Sequence, residues 1–271
     1  MNHMAASYPI KPRLGQHFLK NEAVFAAIVL ALDLRKEDAV IEIGPGHGEL
    51  TKHLMEHPAS IIAVEKDAEL YQKLISSDFN QTAITFVHGD ILKILPELIT
   101  NYHLPIISYK LVGNIPYYIT GFLLRTLSEL PHKPTLSVLT IQKEVAERMC
   151  AEPPHMNILA ASVQYWAKPE ILQFIPKKDF SPPPKVDSAV IRLVTKNEQR
   201  ASALYYPFIR TLFKQPRKTI RNNLYAAVNT LGVPENEIDS VLSKLGIDPN
   251  ARPQNLSLEL IENIVAALRH T

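Results

Sequence analysis

The chain has 271 residues, of which 46% are hydrophobic and 21% are charged, and its formal net charge at pH 7 is +2. This length allows one large domain or a main domain with an appendix, and no apolar run reaches the roughly 20 residues that cross a bilayer. Its start lacks a cationic cluster leading into an apolar stretch, so we expect no secretion signal, no membrane association and a cytoplasmic location. The single cysteine, Cys150, excludes an internal disulfide and a multi-cysteine zinc site.

Helical stretches alternate with short apolar runs from residue 21 to residue 180, a pattern typical of βαβ units and a largely parallel sheet. Buried strands are predicted at residues 39–43, 60–65, 84–88, 109–113 and 135–142. Two later runs, at 168–176 and 186–194, flank a proline cluster and predict an antiparallel pair at the sheet edge. The fold class is therefore α/β, with a Rossmann-like sheet of seven mostly parallel strands.

The strand-like runs end near residue 196, and residues 205–271 show short amphipathic patterns separated by proline and glycine. We therefore predict an α/β domain over residues 1–198 and a small all-α domain over residues 199–271. In the second domain, Arg217, Lys218 and Arg221 are spaced to share one face of a helix that we expect to begin at Pro216. Such a face suits a phosphate groove, although it is also typical of a solvated basic surface.

The first predicted strand runs into a glycine-rich loop, Gly44-Pro45-Gly46-His47-Gly48. At the carboxyl end of a strand, Gly44 and Gly46 let the backbone approach a ligand closely. The third glycine comes one residue too early for the dinucleotide pattern G-x-G-x-x-G, and the neighbouring Glu42 and Glu49 would repel a phosphate. The loop therefore favours a cationic nucleoside without phosphate, S-adenosylmethionine, over NAD.

Two further acids end the second and third strands. Glu65 lies about 20 residues after Gly44, the spacing at which a carboxylate accepts hydrogen bonds from ribose hydroxyls. Asp90 is placed to accept a hydrogen bond from the adenine amine of the cofactor. Each acid alone is more often a helix cap or a solvated side chain than a ligand contact, but together with the loop the two acids indicate a cofactor site.

The fourth strand ends in Asn114-Ile115-Pro116-Tyr117. An adenine amine is a poor nucleophile because its lone pair is delocalised into the ring, so an enzyme must hold it in line with a methyl donor. The Asn114 side-chain oxygen and the Ile115 carbonyl offer two acceptors for the amine, Pro116 stiffens the turn, and Tyr117 offers a stacking face. Taken alone, these four residues also fit a plain strand-to-helix turn with an Asx cap.

Six segments in this order resemble the ribosomal RNA adenine N6,N6-dimethyltransferases over nearly the whole chain. They are residues 11–19, 42–46, 114–117, 142–144, 180–188 and 213–221. The resemblance implies an S-adenosylmethionine-dependent enzyme that dimethylates two adjacent adenosines in the 3′-terminal hairpin of small-subunit (16S) rRNA, with a role in small-subunit biogenesis. It also implies the small ribosomal subunit or its precursor as the partner, and we expect a monomer.

The resemblance assigns roles to particular residues. It places Phe180 across the target pocket from Tyr117, so that a flipped adenine stacks between two aromatic faces. The expected site has no metal, and its full set of residues is as follows. The catalytic residues are Asn114, Ile115, Pro116, Tyr117 and Phe180, the cofactor-binding residues are His17, Leu19, Gly44, Gly46, Glu65, Asp90 and Asn114, and the RNA-binding residues are Lys11, Arg13, Lys214, Arg217, Lys218 and Arg221.

Three features depart from the pattern of the family. His17 stands where an asparagine is common, residues 154–159 lack a Tyr-Gly-Arg-Leu-type stretch, and Gln215-Pro216 interrupts a basic pair. The second departure puts any RNA contact at residues 154–159 in doubt.

Three rival functions remain open from the sequence. A large-subunit rRNA adenine N6-methyltransferase would share the glycine loop and the Asn114 turn, while a non-catalytic ribosome-assembly factor would bind RNA without using them. A DNA adenine methyltransferase fits less well because no separate DNA-reading domain is evident.

Overall fold

The computed structural model describes residues 16–57, 59–77, 79, 84–101, 109–196, 204–226, 228 and 232–269. Lys11, Arg13 and the predicted domain boundary at residues 198 and 199 lie outside the described residues.

Nine strands are present in the described part of the chain. They are β1 (Phe18–Leu19), β2 (Ala39–Ile43), β3 (Ser60–Glu65), β4 (Ile84–His88), β5 (Tyr109–Asn114), β6 (Leu136–Gln142), β7 (Ala167–Ile175), β8 (Phe180–Ser181) and β9 (Ser188–Thr195). Seven of them form one sheet in the order β4-β3-β2-β5-β6-β9-β7. Strands β2 to β6 are parallel, and β9 runs antiparallel to both β6 and β7. The α/β fold with seven mostly parallel strands is confirmed, and each predicted strand bound lies within two residues of the observed one.

Helices cover both faces of the sheet and form the C-terminal part of the chain. They are α1 (Glu22–Leu32), α2 (Glu49–Met55), α3 (Ala68–Ile75), α4 (Ile91–Asn101), α5 (Thr120–Glu129), α6 (Lys143–Met149), α7 (Ile158–Gln164), α8 (Tyr205–Leu212), α9 (Ile220–Tyr225), α10 (Glu235–Lys244) and α11 (Leu258–Arg269). Buried side chains of α1 and α2 pack on one face of the sheet, whereas those of α4, α5 and α6 pack on the other. The result is the three-layer arrangement that buries a parallel sheet on both sides.

The strand order reverses between β3 and β5, which flank β2. In the register of the β2–β5 pair, Ile43 lies opposite Gly113. A Cβ on Gly113 would lie 2.6 Å from the Ile43 carbonyl oxygen, so only glycine allows this close approach. The glycine loop after β2 and the Asn114 turn at the end of β5 therefore emerge side by side, at the switch point where open α/β sheets bind ligands.

A two-stranded sheet of β1 and β8 was not predicted. Phe18 pairs with Ser181 and Leu19 pairs with Phe180 in antiparallel register. The backbone N–H of Lys20 extends this pairing by donating to the Asp179 carbonyl, at 2.9 Å. We call residues 16–20 the N-terminal strap, because they cross the sheet edge where the predicted site lies.

The helices after residue 204 share a core with α7, which precedes β7. The Tyr165 and Tyr205 rings stack with centroids 3.7 Å apart and planes inclined by 10°. The buried Tyr205 hydroxyl donates to the Ala161 carbonyl at 2.9 Å. Trp166, Tyr165 and Tyr205 are all buried, and Tyr206 is half-buried. This contact joins the helical part of the chain to the α/β part.

Across the described residues, no helix is both long and apolar enough to span a bilayer.

The Tyr205 contact leads to a stability prediction. Tyr205→Phe keeps the stacked ring but leaves the buried Ala161 carbonyl without this donor, so we expect the free energy of unfolding to fall by about 1–3 kcal/mol. Urea unfolding followed by circular dichroism measures the change. Tyr225→Phe is the matched control, because its hydroxyl contacts Arg221 and Asp239 at the surface, where water replaces the lost bond. An equal loss in both variants would contradict the assigned role of Tyr205.

Candidate active site

Two adjoining cavities lie at the carboxyl ends of β2 and β5. The first, which we call the target cavity, has a volume of about 460 Å³. It is lined by Gln16, His17, Phe18, Gly44, Gly46, Asn114, Ile115, Pro116, Tyr117 and Phe180. The second, which we call the cofactor cavity, has a volume of about 480 Å³ and is lined chiefly by Ile43, Gly44, Val64, Glu65, Lys66, Asp90, Ile91, Pro116 and Tyr118. Because Gln16, Gly44 and Pro116 line both, the cavities meet at the glycine loop and the Asn114 turn.

The glycine loop is shaped to admit a ligand on one side and the strap on the other. Gly44 and Gly46 both have φ of +64°, a conformation that favours glycine. The space beside Gly44 is open, whereas a Cβ on Gly46 would lie 3.0 Å from the Phe18 ring. The Phe18 ring also packs on His47, with centroids 4.4 Å apart. The loop backbone is thus open to a ligand at Gly44, and Phe18 of the strap covers it at Gly46.

Glu65 closes β3 beside this loop. Its carboxylate accepts hydrogen bonds from the backbone N–H of Gly46 at 3.1 Å and of Asp67 at 2.8 Å. Burial raises the pKa of Glu65, and these backbone bonds oppose the rise. The residue therefore fixes the loop and presents carboxylate oxygens to the cofactor cavity.

Asp90 lines the same cavity and is held by a cation that the sequence did not single out. Lys66 Nζ donates to its carboxylate at 2.8 Å, and the Leu92 N–H donates at 3.1 Å. Burial alone would raise the pKa of Asp90, but these two bonds and the charges of Lys66 and Lys93 together outweigh it and lower the pKa. Asp90 is therefore a charged acceptor in this structure, and it also caps the start of α4.

Asn114 has a defined orientation. Its side-chain amide nitrogen donates to the His17 carbonyl at 2.7 Å. Because a carbonyl only accepts, this bond identifies the nitrogen and leaves the other amide atom, Oδ1, on the side away from His17. His17 is itself anchored, since its Nδ1 donates to the Pro182 carbonyl at 2.7 Å. The strap thus connects the Asn114 turn to the loop that carries Phe180.

Tyr117 is positioned by a buried serine. Its hydroxyl lies 2.7 Å from Oγ of Ser188, the first residue of β9, which is fully buried. Burial raises the Tyr117 pKa, a rise that the Ser188 bond opposes. The phenol is therefore neutral near pH 7, as a stacking face for a neutral base requires. Phe180 lines the same cavity and is fixed by its pairing with Leu19.

Leu19 lies in the wall of an adjoining pocket, which it shares with Gly44, Gly46 and Asn114. All the predicted catalytic and cofactor-binding residues are therefore brought to one edge of the sheet.

The basic segment 214–221 differs from its prediction. Helix α9 begins at Ile220, not at Pro216, with Thr219 as the cap that accepts the Asn222 N–H. Arg217 and Lys218 therefore lie in a turn, and the proposed shared helical face with Arg221 is wrong.

The helix begins late because a side chain occupies the inside of the preceding turn. The buried Asn223 amide accepts from the Gln215 N–H at 3.1 Å and donates to the carbonyls of Gln215 and Thr219, each at 3.0 Å. These bonds satisfy the backbone of the turn in place of a helical ladder.

The predicted RNA-binding cations of this segment are not equivalent. Lys214, Arg217 and Lys218 are exposed. Arg221 instead donates to Asp239, at 2.6 Å for Nη2, and its guanidinium lies 4.8 Å from the centre of the Tyr225 ring. The first three are thus better placed to meet phosphate than Arg221.

Several site residues were missed from the sequence. Lys66 and Ser188 contact Asp90 and Tyr117, which lie 24 and 71 positions away along the chain, and Asn223 contacts Gln215, eight positions away. Phe18 and Ser188 carried a signal, since they lie inside the segments 11–19 and 180–188 that resemble the family. Among the residues described, no cluster of three or more His, Cys, Asp or Glu side chains is arranged to hold a metal ion.

Glu42 is a buried acid behind the glycine loop, and its environment gives a pH prediction. Burial raises its pKa to about 8, a hydrogen bond from the Thr51 hydroxyl at 2.7 Å opposes this, and the charges of Glu65 and Glu49 add to it. Between the usual value of 4.5 and about 8, the folded chain keeps a proton that the unfolded chain releases. Stability therefore falls as pH rises through this window.

Glu42→Gln should flatten this dependence, because the neutral amide keeps the acceptor for Thr51. The pH dependence is measured by thermal unfolding between about pH 5 and about pH 8, as the difference in melting temperature between the variant and wild type. We expect the variant to gain stability relative to wild type as pH rises. A difference in melting temperature that stays constant with pH would contradict the raised pKa of Glu42.

The chain matches the protein family described as ribosomal RNA adenine dimethylase over residues 8–270. The ribosomal RNA small subunit methyltransferase A of Dehalococcoides mccartyi is 37% identical over 262 residues, which are 94% of this chain and 88% of that protein. The protein of the same name from Clostridium botulinum is 36% identical over 260 residues, 93% of this chain and 91% of that protein.

Solved structures share the fold. A dimethyladenosine transferase from Plasmodium falciparum superposes with a TM-score of 0.81 and 24% identity, covering 94% of this chain and 98% of its own. The 23S rRNA methyltransferase ErmE superposes with a TM-score of 0.73 and 23% identity, covering 93% of this chain and 99% of its own. These structures confirm the class I methyltransferase architecture, and the family match confirms the resemblance found in the sequence. The chain belongs to the ribosomal RNA adenine dimethylase family and is an S-adenosylmethionine-dependent methyltransferase.

Proposed function

We propose that this chain dimethylates the N6 amines of two adjacent adenosines in the 3′-terminal hairpin of small-subunit (16S) rRNA. The observation that carries the proposal is the fixed Asn114 amide, whose nitrogen is engaged by the His17 carbonyl at 2.7 Å. This contact leaves Oδ1 as the atom that Asn114 can offer to a ligand, and Asn114 lines the target cavity together with Tyr117 and Phe180. The names of the relatives from Dehalococcoides mccartyi and Clostridium botulinum support the small subunit as the partner.

The residues around the cofactor cavity fit S-adenosylmethionine, which supplies an electrophilic methyl group when bound. The open space beside Gly44 lets backbone approach the ligand, and Glu65 offers carboxylate oxygens to ribose hydroxyls. Asp90, kept ionised by Lys66, offers an acceptor to the adenine amine of the cofactor. His17 and Leu19 of the strap complete the wall on the side of the target cavity.

In the target cavity, Asn114 Oδ1 and the Ile115 carbonyl would accept the two N–H groups of an adenine amine. Holding both hydrogens directs the nitrogen lone pair and favours the pyramidal nitrogen that attack requires. Pro116 stiffens this turn, while Tyr117 and Phe180 would stack on the flipped base. After one methylation a single N–H remains, so the second round would use one of the two acceptors.

The reaction needs no strong base, because the product nitrogen bears a positive charge and loses its proton readily. The lining of the target cavity agrees with this. No carboxylate is among its described residues, and its titratable side chains are His17 and Tyr117. The site is therefore suited to positioning rather than to proton abstraction by an acid–base pair.

We propose that the chain acts as a monomer. We place that action in the cytoplasm, where ribosomal subunits assemble. The exposed cations Lys214, Arg217 and Lys218 would supply phosphate contacts that position the RNA without reading its sequence.

One experiment separates the small-subunit function from its rivals. The purified chain is incubated with labelled S-adenosylmethionine and unmethylated small subunits, large subunits or DNA, and N6,N6-dimethyladenosine is then mapped. We expect label at two adjacent adenosines of small-subunit RNA. Label confined to large-subunit RNA or DNA, or binding to small subunits without label, would overturn the proposal.

Asn114→Ala tests the role of the fixed amide. The variant removes an acceptor for the amine, so we expect the rate of transfer to fall on the order of a hundredfold or more. Calorimetric titration with S-adenosylmethionine serves as the control and should show binding that is weaker but still measurable, because Asn114 is one of seven expected cofactor-binding residues. An unchanged transfer rate would refute the assignment of Asn114.

Ser188→Ala tests whether the buried serine positions Tyr117. Without the Ser188 hydroxyl the phenol loses its 2.7 Å partner, so we expect kcat to fall about tenfold while cofactor affinity is unchanged. Tyr117→Phe removes the same bond from the other side. If Ser188 acts through Tyr117, the double variant should be no slower than either single variant, whereas additive losses would show independent roles.

A further inference from the structure

The helix that follows the Asn114 turn carries an unusual exposed surface. The 3₁₀ turn Tyr117–Ile119 leads directly into α5, and the buried side chains of the helix face the sheet. On the side of this helix that faces solvent, the first residues are aromatic instead of charged. Tyr118 is 51% exposed and Phe122 is 65% exposed.

These residues form a continuous stripe. Tyr118, Gly121, Phe122 and Arg125 are all exposed and follow the spacing of three and four residues that places side chains on one side of a helix. We call this set the aromatic face. Gly121 precedes Phe122, and a Cβ there would meet no atom within 4 Å. No side chain at position 121 therefore obstructs a flat group that approaches this part of the face.

The aromatic face is continuous with the site. Tyr118 lines the cofactor cavity with Lys66 and Asp90, and it is the neighbour in sequence of Tyr117, which lines the target cavity. Phe122 lies one helical turn further from both cavities. The aromatic face therefore adjoins the site, and an RNA strand that crosses α5 on its way to the target cavity would contact it.

The charge on the face also fits RNA. Arg125 donates to Glu129 at 2.9 Å, but both side chains are more than 60% exposed. Ion pairs that are this exposed contribute little stability, so the guanidinium is free to exchange Glu129 for a phosphate. At the opposite end of the face, Lys66 donates to Asp90 in the cofactor cavity, so Arg125 is the cation that this face offers to RNA. Aromatic rings beside cations are the arrangement with which proteins bind single-stranded nucleic acid.

We propose that the aromatic face stacks an unpaired base adjacent to the flipped adenosine, with Phe122 as the stacking ring and Arg125 on the neighbouring phosphate. The inference rests on the proposed function, since a flipped target leaves its neighbour without a stacking partner. A second adenosine held at this face would be close to the target cavity after the first has been modified. The face thus contributes to recognition of a pair of bases rather than of one.

Phe122 variants provide the test. With unmethylated small subunits at saturating S-adenosylmethionine, Phe122→Ala should raise the KM for subunits about tenfold, and leave the affinity for S-adenosylmethionine unchanged. Phe122→Trp should restore the KM because it restores an aromatic ring. Phe122→Leu should not, because it keeps an apolar contact without a stacking face.

The matched control is Leu30→Ala. Leu30 is an 82% exposed apolar residue on α1, which packs on the other face of the sheet from α5, so this variant should have the KM of wild type. If Phe122→Ala matched the control, the proposal would be overturned. If Phe122→Leu kept the KM of wild type, an apolar contact would be enough, and the face would be a docking site for a protein. If Phe122→Ala changed the sedimentation coefficient of the chain, the face would bind a second copy of the chain. Either result would also overturn it.

A direct readout does not depend on methyl transfer. A 3′-terminal hairpin RNA with 2-aminopurine next to the target adenosine should lose fluorescence on binding the wild-type chain, because stacking on an aromatic ring quenches the probe. At saturation, Phe122→Ala should abolish this quenching and Phe122→Trp should restore it. Quenching by the wild-type chain without methylation would reject the proposed function and keep this inference. Methylation without Phe122-dependent quenching would keep the proposed function and reject this inference.

Discussion

The close approach of β2 and β5 is the constraint on which the rest of the site depends. Gly113 lies opposite Ile43 with no room for a side chain between them, since a Cβ would come within 2.6 Å of the Ile43 carbonyl. This contact aligns the ends of two strands that are distant in sequence. The glycine loop and the Asn114 turn therefore share the walls of both cavities. A methyl donor and an acceptor must lie within a few ångströms of each other, and the sheet sets that separation.

The N-terminal strap converts this alignment into fixed side chains. It contacts the glycine loop through Phe18, the Asn114 amide through the His17 carbonyl, and the Phe180 loop through the β1–β8 pairing. Three separate regions are thereby connected by five residues. The strap does not need to react with anything, because its contribution is to remove the freedom of groups that would otherwise adopt several orientations. The histidine at position 17 serves this purpose with both its backbone and its ring.

The sheet could be predicted from the sequence because its central strands, β2, β3, β5 and β6, are short runs rich in Val, Ile and Leu that are buried on both faces. The glycine loop and the Asn114 turn could also be predicted, because their residue types are recognisable from the neighbouring residues in the sequence. The helix expected at Pro216 was wrong because Asn223, a residue further along the chain, satisfies the turn backbone with its side chain. Lys66, Ser188 and the β1–β8 pairing were missed for a related reason. Each acts on a residue that only the tertiary fold brings near, and a single sequence does not contain that information.

The distribution of charge explains how one edge of the sheet serves two ligands of different character. Glu42, Glu49, Glu65 and Asp90 all lie around the glycine loop or the cofactor cavity, whereas no carboxylate is among the described residues that line the target cavity. Glu42 holds a proton near neutral pH, so the loop is less negative than its sequence suggests. The acids that remain ionised favour a cationic donor, and the aromatic and amide groups beside them favour a neutral base. The polarity of the site thus changes at Asn114, which is where the two ligands must meet.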